Sequence, residues 1–270
     1  NVASTADTNY DGLGSVTVPV IVTDNDSAGF IITETGADTR VYETGATDTY
    51  TIKLTSEPTN AVAFTITSAT TSEVTATTSS LTFDASDWNT PKTATVTGVD
   101  DVGADGNTTN TVTIAINTGA TLDNVYDAVP SQTLSVINND NDVAGISVDP
   151  MYGTIVDETG TTATYTVVLD SLPTGNVLID TASSDTGELT VAPAQLTFTT
   201  SNWNAPQTVT VTGVDDNIDD GTINANITNT PNVGTADITY RSVGAATVVA
   251  STRDNDTAGV TIALTGGSNA

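Results

Sequence analysis

Hydrophobic and polar residues alternate in short runs along this chain. Tyr50, Ile52 and Leu54 alternate with Thr51 and Lys53, and Val62, Phe64 and Ile66 with Ala63 and Thr65. Ala94 and Val96, then Val112, Ile114 and Ile116, do the same with threonine among the alternate positions. Further on, Tyr165-Val167-Leu169, Val177-Ile179, Val209-Val211 and Ile223-Ala225-Ile227 repeat the theme. A period of two places one face of an extended segment in a core and the other in water. Threonine suits that wet face because it is both β-branched and polar. No stretch shows a convincing helical period. Turn residues punctuate the runs at Glu57-Pro58-Thr59-Asn60, Leu172-Pro173-Thr174-Gly175, Asp105-Gly106 and Asp220-Gly221.

The pattern recurs as a whole. Asp24-Asn25-Asp26-Ser27-Ala28-Gly29 returns as Asp140-Asn141-Asp142-Val143-Ala144-Gly145 and as Asp254-Asn255-Asp256-Thr257-Ala258-Gly259, at steps of 116 and 114. Trp88 and Trp203 are 115 apart, as are Glu43 and Glu158. Tyr10, Tyr126 and Tyr240 each precede the first aspartate of such a segment by 14 residues. Four independent markers on one period define a tandem repeat. The expected organisation is two whole repeats, 30–145 and 146–259. Residues 1–29 then read as the last strand and exit of a preceding repeat, and 260–270 as the first strand of a following one. The chain reads as an excerpt from a longer array.

Within the first repeat the runs predict strands at 30–42, 47–55, 61–68, 73–83, 92–99, 109–117 and 131–139. About seven short antiparallel strands per repeat is the pattern of an immunoglobulin-like β-sandwich, so the fold class is all-β. The tryptophans are expected to cap or fill the core where a loop enters the fifth strand, and the tyrosines to make a hydrogen-bonded corner.

Composition narrows the function. Of 270 residues, 33 are acidic, 5 are basic and none is His or Cys, for a net charge of −28. Arg40, Lys53, Lys92, Arg241 and Arg253 cannot form the basic face that nucleic acid requires. Zinc, haem and iron–sulfur sites lack their usual ligands, and Ser–His–Asp chemistry lacks its base. No apolar run reaches the roughly 18 residues of a membrane span, so no direct membrane insertion is expected in this segment. With 58 threonines, few lysines and no cysteine, the chain reads as an extracellular fold stabilised by something other than disulfides.

If successive strands run antiparallel, the first, third, fifth and seventh all end at one pole. Glu43 follows the first strand, Asp100, Asp101 and Asp105 the fifth, and Asp140 and Asp142 the seventh. The matching set is Glu158, then Asp215, Asp216, Asp219 and Asp220, then Asp254 and Asp256. Asp24 and Asp26 belong to the leading fragment, and Asp185 lies near the second set. Clustered carboxylates repel one another, and a hard cation among them relieves that repulsion. Ca²⁺ takes six to eight oxygen ligands, whereas Mg²⁺ keeps more of its waters and is the weaker candidate. The competing reading is an acidic coat that keeps the protein soluble. Three recurring acidic segments at one pole favour calcium. Asn25, Asn141 and Asn255 suit the turns between the aspartates or offer carbonyls.

These residues bear a family likeness. The V-x-E-T-G around Glu43 and Glu158, the V-T-G-V-D-D ending at Asp101 and Asp216, and the acidic exits at Asp140/Asp142 and Asp254/Asp256 resemble the Calx-β domain. That module binds calcium in sodium/calcium exchangers and in large bacterial surface proteins. The resemblance covers both whole repeats and, through Asp24 and Asp26, the leading fragment. It implies Ca²⁺ ligation at those positions. The W-N-x-P segment at Trp88 and Trp203 is similar to those of long repetitive bacterial cell-surface arrays. The exit here is D-N-D rather than three consecutive acids, and Asp105 or Asp219/Asp220 stand where the family carries further glutamates.

The expectation is therefore a structural extracellular module, a calcium-rigidified stretch of stalk, filament or surface layer on a cell, most simply a bacterial one. Its partners would be neighbouring repeats and copies of itself in a polymer or array. The alternative is an adhesin or carbohydrate-binding region, which would need an exposed aromatic platform in a chain only 5% aromatic. Paired carboxylates can serve a glycosidase. Here they recur once per repeat, which favours metal ligation, and no enzymatic activity is expected.

Overall fold

The computed structural model describes Gly14 and residues 16–262. Two β-sandwiches follow one another along the chain. The first is built from β1 (Phe30–Glu34), β2 (Thr39–Tyr42), β3 (Thr47–Leu54), β4 (Val62–Ser68), β5 (Val74–Ala76), β6 (Ser80–Phe83), β7 (Lys92–Gly98), β8 (Thr108–Ile116) and β9 (Gln132–Asn139). One sheet has the order β1-β3-β7-β5 and the other β2-β9-β8-β4-β6. The second sandwich repeats this with β10 (Ile146–Asp149), β11 (Thr154–Asp157), β12 (Thr162–Leu169), β13 (Val177–Ser183), β14 (Leu189–Ala192), β15 (Gln195–Phe198), β16 (Gln207–Gly213), β17 (Ile223–Pro231) and β18 (Ala246–Arg253). Its sheets are β10-β12-β16-β14 and β11-β18-β17-β13-β15. All pairings are antiparallel except β2 with β9 and β11 with β18, which are parallel.

The alternating residues form the two cores. Tyr50, Ile52 and Leu54 of β3 and Val62, Phe64 and Ile66 of β4 point inward in the first sandwich, as Tyr165, Val167 and Leu169 of β12 do in the second. Phe64 lies edge-on to Phe30 and to Phe83, with centroids 5.0 and 5.8 Å apart. Trp88 and Trp203 pack at the core margin. Their backbone carbonyls accept from the N–H groups of Leu54 and Leu169. Tyr126, in a short 3₁₀ turn, and Tyr240, in the single helical turn α1 (Ile238–Arg241), make the same corner. Each hydroxyl donates to the carbonyl oxygen of Ser56 or Ser171, at 2.7 and 2.6 Å.

Two expectations change. The segments 30–42 and 73–83 are not single strands. Each breaks, at residues 35–38 and 77–79, and its halves join opposite sheets. Each leaves its first sheet before its partner ends, since β3 runs on past Tyr50 to Thr47 and β7 past Val96 to Lys92. Nine pairing segments therefore stand where seven were expected. Residues 16–29, expected to hold the last strand of a preceding repeat, form no strand, and Val16, Val18, Val20 and Val22 are exposed. A lone extended segment has no neighbour to bond its backbone. Residues 260–262 likewise form no strand; the rest of that expected strand, 263–270, and Tyr10 lie outside the described residues.

Candidate metal centre

The parallel pairing of β2 with β9 sets the geometry. It brings both strand ends to the same pole, so Glu43 emerges beside Asp140. The Glu43 N–H donates to the Asn139 carbonyl at 3.1 Å. At Gly98, which ends β7, a Cβ would stand 2.1 Å from the Tyr42 carbonyl oxygen. Only glycine lets β7 close against β2 there and deliver the loop 99–106 to the same pole. Gly213 repeats this contact against Asp157.

Glu43 is 1% exposed. Its Oε2 accepts from the Asn141 N–H at 3.2 Å. Asp140 uses both oxygens: Oδ1 accepts from the Asp142 N–H at 2.6 Å, and Oδ2 from the Gly106 N–H at 2.6 Å. Gly106 adopts the left-handed φ of +82° that the tight Asp105-Gly106 turn needs. Asp142 Oδ2 is buried without a partner. Oxygens of Glu43, Asp140 and Asp142 lie within 4.8 Å of one another. Glu73, Asp101 and Asp105 form a second such group beside them. Glu73 Oε2 accepts from the Thr108 hydroxyl at 2.8 Å, and its carbonyl accepts from the Val99 N–H at 2.8 Å.

The second sandwich repeats the frame. Glu158, 1% exposed, accepts from the Asn255 N–H at 3.1 Å. Asp254 accepts from the N–H groups of Asp256 and Gly221, at 2.6 and 2.7 Å. Asp256 Oδ2 is again buried and unpartnered. Glu158, Asp254 and Asp256 form one group, and Glu158, Glu188 and Asp220 another. Glu188 is buried, and its Oε2 has no partner.

Electrostatics mark the same residues. Burial pushes the Glu43 carboxyl up to about 7, against the pull of the Asn141 N–H and with the added repulsion of Asp140, Asp101 and Asp105. Burial and neighbouring acids also raise Asp105, Asp142, Glu188 and Asp256. At Glu158 the bond from Asn255 pulls downward, but burial with Asp254, Asp216 and Asp220 outweighs it and the carboxyl rises. Asp254 falls, held by the N–H groups of Gly221 and Asp256.

The remaining candidates are placed less centrally. Asp100 stands close enough to repel Asp142. Asp215 accepts from the Asn255 side chain at 3.0 Å, Asp216 from the Ile218 N–H at 2.7 Å, and Asp219 from the Ala258 N–H at 2.6 Å. None of these four belongs to a close group among the described residues. Asp185 turns back to the Gly187 N–H, though it adds to the repulsion at Glu188. Asp24 and Asp26 make the same turn as the other two D-N-D segments, with a bond of 2.9 Å. They face Glu57, Thr59 and Asp123 at the opposite pole of the first sandwich. Glu73 and Glu188 were not among the residues expected from sequence. Both precede a strand in S-E-V-T and G-E-L-T, 115 residues apart, so the repeat period itself points to them.

The groups suit a hard cation. Their donors are all oxygens, and two ligands each about 2.4 Å from one Ca²⁺ are at most about 4.8 Å apart. The ion pairs among the described residues, Arg40–Asp38, Lys92–Asp87 and Arg253–Asp157, include none of the grouped carboxylates. The buried oxygens of Asp142, Glu188 and Asp256 that no protein donor reaches would suit such a cation. Glu43, Glu73, Asp101, Asp105, Asp140 and Asp142 would hold it in the first sandwich, and Glu158, Glu188, Asp220, Asp254 and Asp256 in the second.

No protein-family model matches the sequence, and neither does any curated protein. Among solved structures, the calcium binding domain CBD12 of CALX1.1 is 13% identical, over 77% of this chain and 83% of that one, with a TM-score of 0.34. Domains 1–6 of the surface layer protein SbsC are 17% identical, over 86% of this chain and 28% of that one, at 0.33. SSP-19, an MSP-domain-like protein of Caenorhabditis elegans, is 16% identical, over 40% of this chain and 98% of that one, at 0.30. Likenesses this distant leave the functional reading to the residues of the pole itself.

Proposed function

We propose that this chain is a structural extracellular module whose acidic poles bind Ca²⁺, and that the bound ions stiffen a tandem array of β-sandwiches on a cell surface, as part of a stalk, filament or surface layer. The observation behind this reading is the pair of equivalent poles. In each, a buried glutamate faces two aspartates of a D-N-D turn, with a buried carboxylate oxygen left unpartnered. Repetition of the arrangement argues for a structural role rather than catalysis. Neighbouring repeats and further copies of the chain are its partners.

The link to stiffness is the loop that carries Asp101 and Asp105. The Leu172 N–H of the second sandwich donates to the Val102 carbonyl at 2.6 Å, and Gly103 forms a parallel bridge with Leu172. Without a cation, mutual repulsion among Asp101, Asp105 and Glu73 loosens this loop and the contact it makes. No helix among the described residues is long and apolar enough to cross a membrane. Small-angle X-ray scattering on the intact chain tests the idea. The maximum dimension is expected to become longer and better defined in Ca²⁺ than in EGTA, and identical profiles would remove the stiffening role.

A further inference from the structure

The two sandwiches arrange their acids differently. In the first, the groups Glu43–Asp140–Asp142 and Glu73–Asp101–Asp105 share no residue. In the second, Glu158 belongs to both groups, Glu158–Asp254–Asp256 and Glu158–Glu188–Asp220. The repeat register locates the cause on the last strand of each sandwich.

Asn138 of β9 is fully buried. Its Nδ2 faces Glu43 Oε1 at 3.5 Å, Glu73 Oε2 at 3.4 Å and the Val99 carbonyl at 3.4 Å. The amide thus stands as a wedge between the two glutamates and offers a proton to each. The equivalent residue of β18 is Thr252, whose shorter side chain turns its hydroxyl to the Glu188 carbonyl at 3.3 Å. With no amide between them, Glu158 and Glu188 approach one another directly. Glu188 is 7% exposed, and its Oε2 finds no donor. Such an oxygen, buried against a second carboxylate, calls for a cation that both can share.

We propose that the second sandwich binds two divalent cations as a coupled pair bridged by Glu158, whereas Asn138 divides the matching centre of the first sandwich into two independent sites. This rests on the reading of the acidic poles as calcium sites. A carboxylate that bridges two ions transmits the loss of one to the other, because its orientation and charge are shared. A carboxylate that is hydrogen-bonded to a neutral amide on its far side is held in place whether or not the next site is filled.

The backbone N–H groups of Asn141 and Asn255 donate to Glu43 and Glu158 and so report each centre separately in the intact chain. Ca²⁺ titrations followed at these two amide resonances are compared for the wild type, E73Q and E188Q. E188Q is expected to raise the Ca²⁺ midpoint at Asn255 roughly five-fold or more, the ordinary range of coupling between sites. E73Q is expected to change the midpoint at Asn141 by no more than about two-fold, the scale of a partly screened charge. In the N138T background, E73Q is expected to acquire the larger effect at Asn141. Should E188Q fail to give a folded spectrum, T252N takes its place: by inserting the amide wedge it should make Asn255 insensitive to the second ion and its titration single-phase. Equal effects of E73Q and E188Q, or a T252N titration unchanged from the wild type, would overturn the division. A wild-type chain whose two amides ignore Ca²⁺ would instead overturn the calcium reading itself.

Discussion

Each sandwich buries carboxylates at both poles, and the poles treat them in opposite ways. At the pole away from the D-N-D exit, Asp123 and Asp237 are almost fully buried, yet their oxygens are supplied with donors. Asp237 accepts from the Thr174 N–H and hydroxyl at 2.7 and 2.9 Å and from the Tyr240 N–H at 2.9 Å. Asp123 has the matching set from Thr59, Val125 and Tyr126. Burial alone would raise both carboxyls, but these bonds hold them below the usual range. At the exit pole Glu43, Glu158 and Glu188 are buried among other acids, with too few donors, and all three rise. Burial of an acid therefore does not by itself mark a candidate metal centre; grouping with other acids and an oxygen short of donors distinguish the exit pole. Asp123 and Asp237 are satisfied by protein donors, whereas Asp142, Glu188 and Asp256 at the exit pole each keep a buried oxygen that no protein donor reaches.

The largest expected effect separates the poles by adding the ion. At a Ca²⁺ concentration a thousand times the dissociation constant, each occupied site should stabilise the fold by about 4 kcal/mol, read as a rise in denaturation midpoint that EGTA reverses. Removing a self-sufficient carboxylate comes next. Asp237→Ala strips the donors of Thr174 and Tyr240 of their acceptor and should cost about 3 kcal/mol in urea unfolding, by the same amount with Ca²⁺ or EGTA. An Asp237→Ala cost that disappears in Ca²⁺ would erase the distinction between the poles.

The third effect is a pH dependence of the metal-free protein. Because the folded Glu43 carboxyl titrates near 7 rather than at its ordinary 4.5, the fold favours its protonated form. Its contribution is therefore complete below about pH 4.5 and is lost as pH rises towards 7, on the order of 2 kcal/mol. In E43Q that decline should flatten, and chemical denaturation at several pH values in EGTA measures it. The aspartates of the other pole run the opposite way, with stability lost only as pH falls below the carboxylate range. The smallest effect is Tyr240→Phe. It removes the hydroxyl that donates to the Ser171 carbonyl at 2.6 Å and accepts from its N–H at 2.9 Å, and should cost about 1 kcal/mol with no change in Ca²⁺ affinity.

Much of the fold was legible because alternation and burial are the same fact seen twice. Tyr50, Ile52 and Leu54, or Val209 and Val211, had to face inward wherever their strands lay. What alternation could not show was where a strand changes sheets. Residues on both sides of the breaks at 35–38 and 77–79 keep an inward-facing pattern, and only the pairing partner differs. The pole was legible because equal spacing and antiparallel order place Glu43, Asp101 and Asp140 together. Glu73 opens the expected strand 73–83, a position where a carboxylate is ordinarily solvated, and Glu188 is its counterpart one period on; in the structure Glu188 is buried and Glu73 half-buried, beside the loop that follows the fifth expected strand. Neighbouring aspartates in one D-D pair diverge for a local reason: Asp101 turns into a group while Asp100 does not, and Asp215 is occupied by the Asn255 side chain.

Whether the exit poles hold Ca²⁺ is decided by calorimetric titration of the intact chain beside the double variant E43Q/E158Q. Saturable binding is expected at the exit pole of each sandwich of the wild type, and in the double variant only the uptake at Glu73, Asp101 and Asp105 should remain, with the circular dichroism of the β-sandwiches unchanged. A wild type that takes up no Ca²⁺, or a double variant that binds it as the wild type does, would rule out calcium centres built on Glu43 and Glu158.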